Sequence, residues 1–345
     1  MALKSPRRRF PRSLQSILHG MKTITLEEHF VTESFLRATG AYQRDLPQRM
    51  LALRSKLLDL GAGRIQAMDD ADITLQVLSL AGMGVDGLAA AEQSAVLHDV
   101  HDELYAAVQA HPDRLAAFAT PGLKDPARAV QELERCVNQL GFKGLFVDGT
   151  TDGRFLDAPE FFPVLEAAAS LGVPLYIHPA PPPAAVQAAY YSGLPGEAGM
   201  LLSIAGWGWH AEVGLHLLRL IVSGVLDRLP SLHVIVGHMG EGVPYALARS
   251  NNVLSPACKH LQRSVTETML AQVSITTSGY FSRPPFDCAR QVLGLSRILF
   301  SVDYPFSPAT DGRRFLADLE STEPALTAAE MAALSYRNAE RILPL

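Results

Sequence analysis

Residues 233–245, HVIVGHMGEGVPY, pass from an uninterrupted apolar segment, Val234 to Val236, through a glycine into a histidine, and then into a glycine-punctuated turn. An apolar run without polar alternation is what a strand covered on both faces requires, as in a parallel sheet. LYIH at 175–178 repeats the design, closing on His178 and Pro179. Working outward, short apolar or β-branched runs bounded by Gly, Pro or Asp predict strands at 23–29, 74–80, 115–121, 142–148, 174–179, 233–239, 273–278 and 298–305. Between them, apolar residues recur at helical spacing over 91–110, 125–140, 160–171 and 212–229, and over 311–319 after the last strand. Eight alternating units predict an α/β fold, a (β/α)₈ TIM barrel, rather than an open doubly wound sheet. A dinucleotide-binding fold would need GxGxxG after its first strand, where this chain has Glu27-Glu28-His29-Phe30. No repeat of fixed period is visible, which argues against solenoids and propellers.

Composition narrows the function classes. The chain has 345 residues, 48% hydrophobic and 19% charged, with a formal net charge of −5. That excludes a disordered or fibrous protein and argues against a nucleic-acid binder, which needs a surplus of Lys and Arg on one face. No apolar run is long enough to span a membrane. The three cysteines, Cys136, Cys258 and Cys288, are too scattered for a disulfide framework or a paired-cysteine metal site, so a reducing, cytoplasmic location is expected. Residues 1–20 carry Lys4, Arg7, Arg8, Arg9 and Arg12 with no acidic residue and no apolar secretory core. They read as a disordered extension, or as sequence upstream of a true start at Met21, with 21–345 as a single barrel domain.

The chemistry lies in what ends each strand. Glu27 and His29, two residues apart, share one face of the first strand. His178 closes the fifth strand, His238 the sixth and Asp303 the eighth. In a barrel those ends converge on the axis, and imidazole plus carboxylate ligands with room for water suit Zn²⁺, Mn²⁺ or a related divalent ion. Singly, each residue has a structural reading as a satisfied histidine, a rim carboxylate or a helix cap; the coincidence of four strand ends carries the metal reading. His98, His101, His111 and His233 read as structural or surface residues. His210 and His216 also read as structural, although His210 stands close enough to the pocket to reach it. Long connections at 30–63 and 180–211 follow strands 1 and 5. The second, stiffened by prolines and bearing Trp207 and Trp209, suits a wall against a flat substrate.

EEHF at 27–30, DLGAGRIQAMD at 59–69, YIHP at 176–179, the E-x-x-x-H-x-x-R-L pattern at 212–220, GHMGEGVPY at 237–245, ITTSG at 275–279 and FSVDYPF at 300–306 together resemble the decarboxylase branch of the amidohydrolase superfamily. That group includes γ-resorcylate, 2,3-dihydroxybenzoate and 5-carboxyvanillate decarboxylases, and more distantly aminocarboxymuconate semialdehyde decarboxylase. The resemblance implies a barrel of the metal-dependent hydrolase type that removes CO₂ from a small phenolic acid without oxidation, as a homodimer or homotetramer. It implies one divalent ion, Zn, Mn or Mg, ligated by Glu27, His29, His178 and Asp303. It places His238 and Glu241 in the active site beside Asp303, and Arg64 and Arg249 in the substrate pocket with Trp209 and Tyr304. Tyr304 departs from the tryptophan common at its position, and the segment after strand 5 does not follow the decarboxylases just named, leaving the ring pattern open. The end of strand 4, Val147-Asp148, lacks the lysine that binuclear hydrolases carbamylate, while Lys143 lies near the other end, so a single ion is expected. On the same fold, metal-activated water hydrolysing a lactone or amide is the alternative reaction, and a barrel that binds without catalysis is the alternative class.

Overall fold

A computed structural model describes residues 18, 20–40, 48–82 and 84–345. All eight predicted strands form: β1 (Ile24–Phe30), β2 (Leu75–Leu80), β3 (Leu115–Ala117), β4 (Leu145–Asp148), β5 (Leu175–His178), β6 (Val234–Val236), β7 (Val273–Thr276) and β8 (Ile298–Leu299). β1 keeps the predicted length and the others are shorter; at β6 and β8 the ends that leave the ladder carry His238 and Asp303 of the site. Every pairing is parallel, in two arcs, β1-β2-β3 and β4 through β8. A single parallel bridge joins the arcs at each seam, Ala119 to Leu145 and Glu28 to Tyr304, and these two bridges close the ring.

Alternation along each strand divides the core in two. Ile24, Leu26, Val77, Phe118, Phe146, Tyr176, Ile235 and Leu299 form one buried cluster inside the barrel, with Ala339 and Leu343 of the C-terminal segment packed against it. Their neighbours, such as Leu78, Leu145, Val147, Leu175, Val234 and Ile275, face outward into a larger cluster under the helices. Those helices include Ala90–Ala110, Pro126–Asn138, Phe162–Ser170, Gly208–Val222 and Ala309–Ser321. The helical spacing at 212–229 resolves into two helices, because Gly224 takes φ 81° and only Val225–Arg228 continues beyond it. Both long connections carry helices of their own, Glu33–Ala38 and Gln48–Leu58 in the first and Ala198–Ser203 in the second.

Most of the basic extension lies outside the described residues. Leu18 is buried in the core, and its carbonyl accepts from Arg313. No described helix is long and apolar enough to cross a membrane. Cys136, Cys258 and Cys288 are free thiols.

Candidate active site

Glu27 and His29 emerge side by side from β1, both fully buried. Glu27 Oε2 accepts from the Tyr176 hydroxyl and from Thr276 Oγ1 at 3.2 Å, while Oε1 has no hydrogen-bond partner. His29 Nδ1 lies 3.3 Å from Ser79 Oγ, and its Nε2 is likewise without a hydrogen bond. Gly237 makes room for the carboxylate, since a Cβ there would stand 2.5 Å from Glu27 Oε2. Around the two free atoms gather His178 Nε2, 3.5 Å from Glu27 Oε1, and Asp303 Oδ1, 3.3 Å from His29 Nε2. Glu27, His29 and His178 form one cluster of metal-ligand type and Glu27, His238 and Asp303 another, so the two share Glu27. Buried polar atoms left unpaired cost about 1–3 kcal/mol each, and a divalent ion would satisfy this pair. The donor set, imidazole nitrogen with carboxylate oxygen, fits such an ion.

Partners behind these side chains fix their orientation. Asp148, closing β4, accepts from His178 Nδ1 at 2.7 Å, which leaves Nε2 free to face the cluster. Lys143 is at the opposite end of that strand, its ammonium on the Pro344 carbonyl. His238 Nδ1 is 2.8 Å from Glu241 Oε1, and the other Glu241 oxygen is bonded to His210 Nδ1. Burial acts to lower the pKa of His238, but the carboxylates of Glu27 and Glu241 overcome it and hold it well above the ordinary imidazole value. Burial likewise opposes ionisation of Glu241 and Asp303, yet His238 with His210, and His238 with His29, bring each down to about 2. The backbone is strained at these positions: His238, Met239, Glu241 and Asp303 have φ of 45°, 56°, 55° and 73°. Such conformations cost on the order of 1–3 kcal/mol each and collect at functional sites.

His178, His238 and Asp303 of this group line a cavity of about 730 Å³, together with Trp209, His210 and Phe306 among others. Trp209 thus stands where the sequence placed it. Three other expected substrate contacts do not. Arg64 is fully buried, and its guanidinium is spent on the carbonyls of Asp59 and His29 and on Gln76 Oε1. Tyr304 packs beneath it, 5.1 Å from ring centroid to guanidinium carbon, outside the cavity lining. Arg249 is exposed on the helix Val243–Ala257, also outside the lining. Sequence spacing matched these residues to a pocket, but the chain's own peptide groups or solvent satisfy them. Conversely, Asp148, Tyr176 and Glu28 were missed. Glu28 accepts from Val302 N, Tyr304 N and Ser301 Oγ, fastening β1 to the end of β8. Its place beside Glu27 in EEHF was the only available signal.

Comparison with known proteins agrees with this arrangement. The sequence profile of the amidohydrolase family matches residues 54–345. Decarboxylase orsB of Emericella nidulans is 36% identical over 325 residues, covering 93% of this chain and 96% of that protein. The gamma-resorcylate decarboxylase of Polaromonas sp. is 35% identical over 82% of this chain and 88% of its own. A solved structure of a dihydroxybenzoic acid decarboxylase from Polaromonas sp. JS666, with bound manganese and the inhibitor 2-nitroresorcinol, superposes with a TM-score of 0.83 at 30% identity, covering 93% and 96% of the two chains. The chain therefore belongs to the amidohydrolase family, within its decarboxylase branch.

Proposed function

We propose that this chain decarboxylates a hydroxybenzoate-type acid without oxidation, using one divalent ion, manganese or zinc, held by Glu27, His29, His178 and Asp303. The observation that carries the reading is the pair of buried, unpaired ligand atoms, Glu27 Oε1 and His29 Nε2, set against His178, His238 and Asp303, which line a cavity able to hold an aromatic ring. A bound ion supplies Lewis-acid stabilisation and orients the carboxylate with an adjacent phenolic oxygen.

The residues of the chain manage the proton. Direct loss of CO₂ would leave an aryl anion, so the ring carbon bearing the carboxylate is protonated before the C–C bond breaks. Asp303 is the donor in this scheme: its carboxylate, ionised at rest, takes a proton from the charged His238 and delivers it to form the new C–H bond, CO₂ leaves, and the electron pair of the broken bond restores the aromatic ring. His238 Nε2, 3.8 Å from Asp303 Oδ2, returns a proton to that carboxylate, and Glu241 holds the imidazole in place. Trp209 and Phe306 flank the ring, Phe306 lying 5.4 Å from His29 between ring centroids. Apolar side chains at Trp207, Leu215 and Tyr245 are exposed around a neighbouring groove and support assembly as a homodimer or homotetramer.

The test is CO₂ release and ultraviolet change from a panel of hydroxylated benzoates and aryl lactones, with protein reconstituted in Mn²⁺ or Zn²⁺. Loss of a benzoate with equimolar CO₂ is the expected result. Lactone opening with ¹⁸O uptake from water and no CO₂ would overturn it in favour of hydrolysis.

A further inference from the structure

The E-x-x-x-H-x-x-R-L stretch at 212–220 has no part in the proton scheme, yet two of its residues reach from the helix Gly208–Val222 to the loop after β4. His216 is fully buried, and its Nε2 accepts from Leu156 N at 3.0 Å. Burial lowers its pKa to about 3, so the ring stays neutral and that nitrogen stays an acceptor. One turn on, the Arg219 guanidinium holds the Asp157 carboxylate through two bonds of 2.8 and 2.7 Å. Phe155 packs against both, its ring 5.0 Å from that of His216, edge on, and 5.0 Å from the Arg219 guanidinium carbon. Three successive residues, 155–157, are therefore fastened to one stripe of the helix.

What they hold is a two-residue hairpin. Thr151 and Arg154 exchange backbone bonds of 3.0 Å around Asp152 and Gly153. The φ values of that pair, 49° and 73°, make the tight turn that Asp-Gly favours. The tip is tied on its other side as well: Asp152 N donates to Asp86 Oδ2 at 3.0 Å, and Lys124 Nζ lies 3.0 Å from the Asp152 carboxylate. Thr150, Thr151 and Gly153 line the main cavity, and so does Trp209, which the same helix carries. One helix thus sets two cavity walls, the indole and the hairpin. The strand before the hairpin is held independently, since Asp148 pairs with His178 in the ladder and Gly149 N donates to the His178 carbonyl at 2.8 Å.

We propose that the hairpin Thr151–Arg154 is a substrate-contact wall and that His216 and Arg219 are positioning residues, fixing its distance from Trp209. This rests on the decarboxylase reading and goes beyond it, giving the motif a part in substrate binding that is separate from the ion and the proton donor.

The experiment takes the full chain loaded with Mn²⁺ and reads kcat and KM for CO₂ release from 2,4-dihydroxybenzoate, calorimetric binding of resorcinol, and metal affinity by competition with a chelator. His216→Phe keeps a ring beside Phe155 and removes the acceptor for Leu156 N. It should raise KM and the resorcinol Kd together by about tenfold, with kcat within about twofold and metal affinity unchanged. The Leu156 amide should exchange with deuterium faster in that variant, and His216→Gln, which restores an acceptor, should bring KM back toward the wild type. If His216→Phe does not fold, Arg219→Gln, at a half-exposed position, puts the same question with a rise of about two- to fivefold. Unchanged KM and Kd in the folded variant, or no resorcinol binding by the unmodified protein, would overturn the proposal. So would a joint loss of kcat and metal affinity, which would show the loop acting through Asp148 and His178. Each of these results leaves the decarboxylase reading standing while CO₂ is released. A weakened resorcinol Kd in the variants without CO₂ release from any benzoate would do the reverse.

Discussion

At the residue scale the site is built from side chains held by something behind them. Asp303 touches both clusters, through His29 at 3.3 Å and His238 at 3.8 Å, and Asp303→Asn keeps its shape while removing the acid. That variant should retain a native circular-dichroism melt and lose at least about 10²–10⁴-fold in turnover; wild-type-like CO₂ release would remove Asp303 from the proton-donor role. Asp148 acts only through His178. In Asp148→Asn the ion should bind about 10–100-fold more weakly, read by competition with a chelator, and excess metal should rescue turnover. The ligand-type residues were legible because each ends an apolar run. Arg64 was the harder residue to place, because a guanidinium beside a barrel strand looks the same in sequence whether it faces a substrate or, as here, the carbonyls of Asp59 and His29.

Between elements, the clearest buried electrostatic unit joins the helices Ala90–Ala110 and Pro126–Asn138. Glu132 accepts from His101, His98 and Arg135, and Thr120 N donates to the other nitrogen of His101. His101, Glu132 and Cys136 have the spacing of a metal cluster, yet both nitrogens of His101 are already bonded and the group is structural, as its sequence suggested. Burial works against the Glu132 carboxylate, but hydrogen bonds from His101 and Arg135 hold its pKa well below the usual range. A depressed carboxyl contributes stability above its unfolded value, near 4.5, that is lost as pH falls toward the folded one. Glu132→Gln should therefore cost about 1–3 kcal/mol at pH 7, shrinking below pH 4.5, in urea titrations at stepped pH; a constant difference would show that the charge is irrelevant. The helices were predicted from periodicity within a few residues. This cross-link was not, since nothing in sequence says that residues 98, 101 and 132 meet.

For the whole molecule, alternation of strand and helix was enough to specify a barrel, because eight apolar runs buried on both faces fit few other architectures. What sequence could not show is how the ring closes. Pairing is continuous within each arc and reduced to one bridge at each seam. At the seam between β1 and β8, His29 N donates to the Tyr304 carbonyl and Tyr304 N to Glu28. Glu27 and His29 come from one arc, and His178, His238 and Asp303 from the other. An ion held by both sets acts as a clasp across that seam, so amide hydrogens of His29 and Tyr304 should exchange with deuterium faster in chelator-treated protein and slow again on adding Mn²⁺. Phe146 N, which donates to Ala119 O at the other seam, should exchange at the same rate in both states. Loading the metal would then tighten the circumference on one side only, giving a barrel whose stiffness is lopsided and set by its ion.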